Sequence, residues 1–395
     1  MAGAPLIEHA LKSVRAAGVT DVLLIVHHMK DQIISHLGDG SRFGLKLEYV
    51  DQGGVFGTGH ALGLGKSFVG EAPFLVVYGD IATHPHVVED IVSSYDPRTD
   101  GVMAGVDMPD VKEYGAIEID NGNLRKIVEK PEKGGPGTIN GGIYVFSPEI
   151  FEYVERTPKS ERGELELTTT LNMGVDGGRT YAVRHLSSQE WIDVGRPWNI
   201  LDANRMLMGT MKGSVREKID SNVSLIGNIV VEEGAQILAG AYIEGPVWVS
   251  SGCKIGPNCY IRPYTYLCKG AKVGNACEIK GSILMEGAHV GHLSYIGDSV
   301  IGSRCNLGAG TITANLRFDG LPIHVKIRGQ SMDSGCKKLG AFLGDDVKTG
   351  INVSLFPGVK VGQGSWIGPH VPLSNDVLPG SLVTAKVDLE TRPRR

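Results

Sequence analysis

The chain has 395 residues, with 39 Lys and Arg against 44 Asp and Glu and a formal net charge of −5. That length allows two or three domains, and the mild acidity gives no footprint for nucleic acid or an anionic membrane surface. No apolar run approaches the ~20 residues of a membrane span, and the N-terminus lacks a signal-peptide pattern, so the expected compartment is the cytoplasm.

In chain order, the first two hundred residues alternate helix-like and strand-like segments. Pro5 to Ala17 reads as a helix, with Leu6, Ala10, Leu11 and Val14 on one face and Gly18 as its stop. Val22 to Val26 is a continuous apolar run, as a buried parallel strand requires. Met29 to Leu37 reads as a second helix and Leu45 to Val50 as a second strand. Phe74-Leu-Val-Val-Tyr-Gly-Asp80 is another strand, ending in a carboxylate. The alternation predicts an α/β doubly wound sheet, whose ligands bind at the carboxyl ends of the strands. Asn199 to Lys212 reads as a helix. The domain boundary is placed after it, giving a first domain over 1–212, a linker over 213–222 and a second domain over 223–395.

The second domain has a different beat. Ile255, Ile261, Leu267, Val273 and Ile279 recur every six residues, as do Leu343, Thr349, Leu355, Val361, Ile367 and Leu373. Such hexads predict a parallel β-helix of three-sided, 18-residue coils. Leu284, Val290 and Ile296 keep the beat, and Ile301, Leu307 and Thr313 resume it after a one-residue slip. Cys253, Cys259, Cys277 and Cys305 each follow an aliphatic beat by four residues, which predicts small inward-facing residues rather than a zinc or redox motif. The basic tail Arg392-Pro-Arg-Arg reads as a frayed terminus. The polar residues His292, Tyr295, Asn306 and Asn315 are not needed by an apolar core, so they are the candidates for chemistry.

Six short blocks of the first half occur in the order found in sugar-1-phosphate nucleotidylyltransferases. They are Gly57-Thr-Gly-His-Ala61, Tyr78-Gly-Asp80, Tyr114-Gly115, Val128-Glu-Lys-Pro131, Asn140-Gly-Gly-Ile143 and Trp191-Ile-Asp-Val-Gly195. The resemblance implies that Thr58, Gly59, Tyr78 and Gly79 approach the nucleotide. It assigns sugar contacts to Gly115, Glu129 and Asn140, and places Lys130 near the phosphates. Asp80 and Asp193 would hold a Mg²⁺ bridging nucleotide and sugar phosphates, which suits an ion that takes one or two carboxylates with phosphate oxygens and water. That family also opens with a buried strand, a loop of the form L-x-x-G-x-G-T-R and a basic P-K-P turn, which cradle the triphosphate. This sequence opens on Met1-Ala-Gly-Ala-Pro-Leu6, which matches the segment just after them. The resemblance therefore implies a shortened start, two strands with open edges and weak nucleotidyl transfer.

The second half resembles the acetyltransferase domain of the bifunctional glucosamine-1-phosphate acetyltransferase/N-acetylglucosamine-1-phosphate uridylyltransferases. The matching pieces are Ile261-Arg-Pro263, Ile279-Lys280, Gly291-His-Leu-Ser-Tyr-Ile-Gly-Asp298, Asn306-Leu-Gly-Ala-Gly-Thr-Ile-Thr313, Asn315 and Phe342-Leu-Gly-Asp-Asp346. The resemblance implies that His292 is the general base removing a proton from the sugar amine, a task suited to imidazole with its ordinary pKa of ~6.5. Tyr295, Asn306 and Asn315 would hold the sugar, and Arg262, Lys280 and Lys338 its phosphate. Ala309 would line the slot for acetyl-CoA. A left-handed β-helix and a homotrimer with sites between neighbours come from the same resemblance, as does an excursion from Ala314 to Phe342 able to reach another subunit. Asn315 is followed by Leu-Arg-Phe-Asp-Gly, where the bacterial pattern continues N-Y-D-G; this is the form of the archaeal branch.

The implied partners are thus a sugar-1-phosphate, a nucleoside triphosphate (UTP) and acetyl-CoA, with neither nucleic acid nor membrane. Two competing readings are a glucose-1-phosphate or mannose-1-phosphate nucleotidylyltransferase with a purely structural β-helix, and a non-catalytic sensor of sugar nucleotides.

Overall fold

A computed structural model describes residues 1–54, 56–217, 219–386, 388 and 390–392. Most of the basic tail (393–395) therefore lies outside the described residues, as does Lys218 of the expected linker. The chain divides into two compact units, Pro5–Val194 and Gly195–Arg395, the second including Met1–Ala4. No described helix is long and apolar enough to cross a membrane.

The first unit is α/β. Helices Leu6–Ala16 and Lys30–Leu37 alternate with the parallel strands Asp21–Val26 and Lys46–Asp51, much as the sequence predicts. A separate six-stranded sheet is mixed. In it Phe74–Val77 runs antiparallel to Gly137–Phe146, which pairs in turn with Gly101–Met108. The strand ending before Asp80 is shorter than expected, because Tyr78 to Asp80 turn into a short ribbon of Ile81–Thr83 against Trp191–Asp193. The runs Val22–Val26 and Phe74–Val77 are largely half-buried instead of fully buried. Each is hydrogen-bonded on one side only among the described residues, so the two open edges expected from the sequence are present.

The second unit is the predicted parallel β-helix. Three eight-stranded sheets are built from two- and three-residue strands, with parallel pairing from coil to coil. The hexad residues form its core, where Ile255, Ile261, Leu267 and Ile279 are completely buried. Thr313 and Thr349 stand at aliphatic beats, and each satisfies its hydroxyl internally: Gly297 N donates to Thr313 Oγ1 at 2.7 Å and Gly308 N to Thr349 Oγ1 at 2.9 Å. The four cysteines fill inward positions as expected, and all six are free. Burial pushes the thiols of Cys253 and Cys259 up to about 12, so neither is a nucleophile at neutral pH. Ile279→Ala removes buried methyl groups that the rigid coil stack cannot refill. It should cost about 2–5 kcal/mol, read as a lower denaturation midpoint of the β-helix.

The helix Asn199–Gly209 belongs to this second unit. Leu201, Leu207 and Met208 pack with Tyr266, Ile283 and Val300 of the β-helix. The Ala314–Phe342 excursion joins the same cluster through Ile323, Val325 and Leu339, and carries a hairpin of His324–Ile327 with Gln330–Asp333. Much of it thus folds back on its own unit, while Leu316, Phe318 and Leu321 stay exposed.

Candidate active sites

In the first unit a cavity of about 580 Å³ is lined by Thr58, Tyr78, Asp80, Gly115, Glu129, Asn140 and Asp193 together with residues the sequence did not single out. Gly59, Gly79 and Lys130 do not line it. Gly59 instead supports its wall: its N donates to Leu165 O at 2.7 Å, and an added Cβ would lie 2.9 Å from that oxygen. Thr58 Oγ1 accepts from Leu167 N at 3.1 Å, capping the helix Leu167–Asp176.

Asp80 and Asp193 are brought to the same end by the short antiparallel ribbon. Asp193 stands opposite Ile81, and Val194 N donates to Asp80 O at 2.9 Å. Among the described residues no three His, Cys, Asp or Glu side chains gather as a ready cage. Two carboxylates at the mouth of a cavity sized for a phosphorylated ligand fit a Mg²⁺ that keeps water and phosphate oxygens in its shell.

The expected sugar contacts are supported from behind. Tyr144, fully buried, donates its hydroxyl to Asn140 Oδ1 at 2.7 Å, which turns the Asn140 amide NH₂ into the group a ligand meets. Trp191 Nε1 donates to Gly141 O at 2.8 Å. Burial and then the neighbouring Glu166 raise the Glu129 carboxyl above its ordinary value, against the pull of Arg162 and Lys130. Arg162 bridges the two acids, 2.9 Å from Glu166 and 3.9 Å from Glu129. Arg162, Glu166 and Tyr144 were missed in the sequence because none belongs to the six blocks; only the fold sets them against Glu129 and Asn140.

In the β-helix, His292 occupies the corner between His289–Val290 and Tyr295–Gly297, and its side chain is exposed. The corner is tied to the coils on both sides. Its carbonyl accepts from Ser294 Oγ at 2.7 Å and from Gly310 N at 3.2 Å, and Leu293 N donates to Asn275 O at 3.1 Å. Ala309 therefore lies one coil along from His292. Asn306 sits on an adjacent sheet, paired with His289, outside the cluster around Tyr295.

That cluster is continuous. Asn315 Nδ2 donates to Tyr295 OH at 3.1 Å and to Asp298 Oδ2 at 2.6 Å, and Lys280 Nζ reaches Asp298 at 2.9 Å. Gly297 must lack a side chain here, because a Cβ would fall 2.4 Å from Tyr295 OH and 2.8 Å from Asn315 Nδ2. Lys338 bridges to Leu316, and the next residue, Leu339, donates its N–H to Asn315 O at 3.0 Å. Arg262, one coil before Lys280, pairs with Glu278 at 2.9 Å and lies over the Tyr260 ring. Two of the three cations expected to hold a phosphate, Arg262 and Lys280, are thus presented from successive coils, each already oriented by a carboxylate. Asp298 and Glu278 were missed as site residues. Their signal was available in part: the spacings Ile279–Leu284 and Ile296–Ile301 are both one short, and these tightened turns carry Lys280 and Asp298.

An α/β cavity lined by two aspartates, joined in one chain to a β-helix that carries an exposed histidine corner and a hydrogen-bonded polar cluster, defines a two-domain transferase. The family model described as "Nucleotidyl transferase" matches residues 1–209, and one described as "GMPPB C-terminal domain" matches residues 243–356. The chain is 44% identical over 398 residues to the bifunctional protein GlmU of Methanococcus maripaludis strain C7, covering 100% of this chain and 93% of that protein. It is 38% identical over 400 residues to the bifunctional protein GlmU of Methanocaldococcus jannaschii, covering 98% and 92%. A bifunctional sugar-1-phosphate nucleotidylyltransferase/acetyltransferase of Sulfurisphaera tokodaii is 39% identical over 380 residues, covering 94% and 90%. The chain belongs to this bifunctional nucleotidylyltransferase/acetyltransferase (GlmU) family and is an enzyme.

Proposed function

We propose that the chain works in the synthesis of UDP-N-acetylglucosamine, acetylating glucosamine-1-phosphate with acetyl-CoA and transferring a uridylyl group from UTP to the product. The observation that carries the reading is the Tyr295–Asn315–Asp298–Lys280 cluster built on the strand Tyr295–Gly297 that follows the exposed His292 corner, which a purely structural β-helix does not need. Nucleotidyl transfer is assigned to 1–212 and acetyl transfer to 223–395, with a connection at 213–222; within the first stretch, the helix Asn199–Gly209 packs in the β-helix unit.

In the β-helix, His292 accepts a proton from the sugar amine as the amine attacks the thioester carbon. The C–N bond forms as the C–S bond breaks, and CoA thiolate leaves. Tyr295 and Asn315 orient the sugar, with Asn306 assisting from the adjacent face. Arg262, Lys280 and Lys338 meet the phosphate dianion, where a guanidinium fork and ammonium charges suit its oxygens. Ala309 and the backbone around it line the approach of acetyl-CoA.

In the α/β unit, Thr58 and Tyr78 form the nucleotide side of the cavity, with Gly59 and Gly79 behind them in the chain, and Gly115, Glu129 and Asn140 form the sugar side. Lys130, outside the lining, supplies positive charge that acts on Glu129. Asp80 and Asp193 would hold Mg²⁺, which when bound neutralises phosphate charge. A homotrimer acting in the cytoplasm completes the reading.

Thiol detection of released CoA with glucosamine-1-phosphate, run beside pyrophosphate detection with UTP and N-acetylglucosamine-1-phosphate, tests it. CoA release that requires the amino sugar supports the reading. Pyrophosphate release from glucose-1-phosphate or mannose-1-phosphate with no CoA release would replace it with the structural β-helix alternative.

A further inference from the structure

Asp298 lies at the centre of the polar cluster and is assigned no task by the reading above. Its side chain is 2% exposed. The tightened turn places it in the left-handed region at φ 48°, where its N–H donates to Lys280 O at 2.8 Å and its carbonyl accepts from Gly340 N at 2.8 Å. One carboxylate oxygen, Oδ1, meets Arg205 Nη2 from the helix Asn199–Gly209 at 3.1 Å. The other, Oδ2, meets Asn315 Nδ2 at 2.6 Å, and Lys280 Nζ touches both.

A carboxylate only accepts hydrogen bonds, so the Asn315 atom against Oδ2 must be the NH₂ group. That fixes the whole amide. Its second N–H goes to Tyr295 OH, and its carbonyl oxygen becomes the atom turned to a ligand. The Tyr295 oxygen, already accepting from Asn315, keeps its own O–H to donate. We propose that Asp298 is a positioning residue that sets the hydrogen-bond polarity of the acetyl-acceptor pocket, presenting an acceptor at Asn315 and a donor at Tyr295. This rests on the acetyltransferase reading. A neutral primary amine carries two N–H groups and one lone pair. If Asn315 Oδ1 accepts one N–H and His292 takes the other, the lone pair is left for the thioester carbon. A flipped Asn315 would instead present NH₂ to an amine and compete for that lone pair.

The arrangement makes an unusual prediction. In Asp298→Asn one carboxylate oxygen becomes NH₂, which must face either Arg205 or Asn315. Lys280 Nζ lies 3.1 and 2.9 Å from the two oxygens and distinguishes them little, whereas the full charge of Arg205 meets Oδ1 alone, so the oxygen of the introduced amide turns to Arg205. Its NH₂ then turns to Asn315, which flips. Acetyl-transfer kcat/KM for glucosamine-1-phosphate should fall about 100-fold, the usual cost of one misdirected hydrogen bond at a reacting centre, with KM for acetyl-CoA unchanged. Arg205→Met lowers stability by removing one partner of a buried carboxylate, but it leaves the Asp298–Asn315 and Asp298–Lys280 bonds in place, so kcat/KM should stay within about 3-fold of wild type. The double variant D298N/R205M frees the oxygen of the introduced amide to face Asn315 and Lys280, and should recover about 10-fold over D298N alone.

Steady-state CoA release by the full chain and the three variants is the test. A carboxylate that merely tethers the helix predicts the reverse order, with R205M as damaging as D298N and the double variant worst of all. Either that order or wild-type activity in D298N overturns the proposal. The R205M comparison decides between tether and positioning even if D298N does not fold. Absence of CoA release from the wild-type chain itself would instead defeat the underlying function.

Discussion

His292→Ala is expected to lower acetyl transfer by about 1,000-fold, within the range for loss of a general base, while leaving the fold and the KM for acetyl-CoA intact. The side chain is exposed at a corner whose hydrogen bonds are made by the main chain and by Ser294, so its removal breaks no packing. Loss of rate with an unchanged unfolding midpoint separates a chemical role from a structural one. Full activity in His292→Ala would remove His292 from the role of general base.

The second large effect is at the other site. Asp193→Asn, and independently Asp80→Asn, should weaken Mg²⁺-dependent binding of UDP-N-acetylglucosamine by about 100-fold, comparable to the loss on disturbing a metal site. Binding without Mg²⁺ should change little. Both carboxylates line one cavity through the ribbon of Ile81–Thr83 and Trp191–Asp193, and no third described acid stands ready to replace either. Titration calorimetry with and without Mg²⁺ reads this directly and does not depend on turnover. Equal affinity of wild type and variants in Mg²⁺ would remove both aspartates from the metal assignment.

The β-helix was legible because its constraint is local: every coil needs the same inward residue at the same step, so Ile255, Ile261, Leu267, Val273 and Ile279 announce it in the chain. The α/β alternation was legible for the same reason, through apolar runs such as Val22–Val26. Strand direction was not, since pairing of Phe74–Val77 with Gly137–Phe146 depends on contacts 60 or more residues apart that no short pattern encodes. The catalytic candidates were visible as polar residues in an apolar beat, and their roles came from family blocks. Their supports were not: Asp298 reads as one more turn aspartate until Arg205, Lys280 and Asn315 converge on it. Tyr144 likewise reads as an apolar strand residue until its hydroxyl is seen on Asn140.

The central claim is that the repeat domain performs chemistry on an amino sugar. Mass spectrometry of the products formed by the 395-residue chain from glucosamine-1-phosphate, acetyl-CoA, UTP and Mg²⁺ tests it most directly. The account predicts conversion of the sugar phosphate to its N-acetyl form, abolished in His292→Ala, with any UDP-linked product formed from that N-acetyl sugar phosphate. An unmodified amine, with acetyl-CoA left intact by a folded wild-type chain, would contradict it.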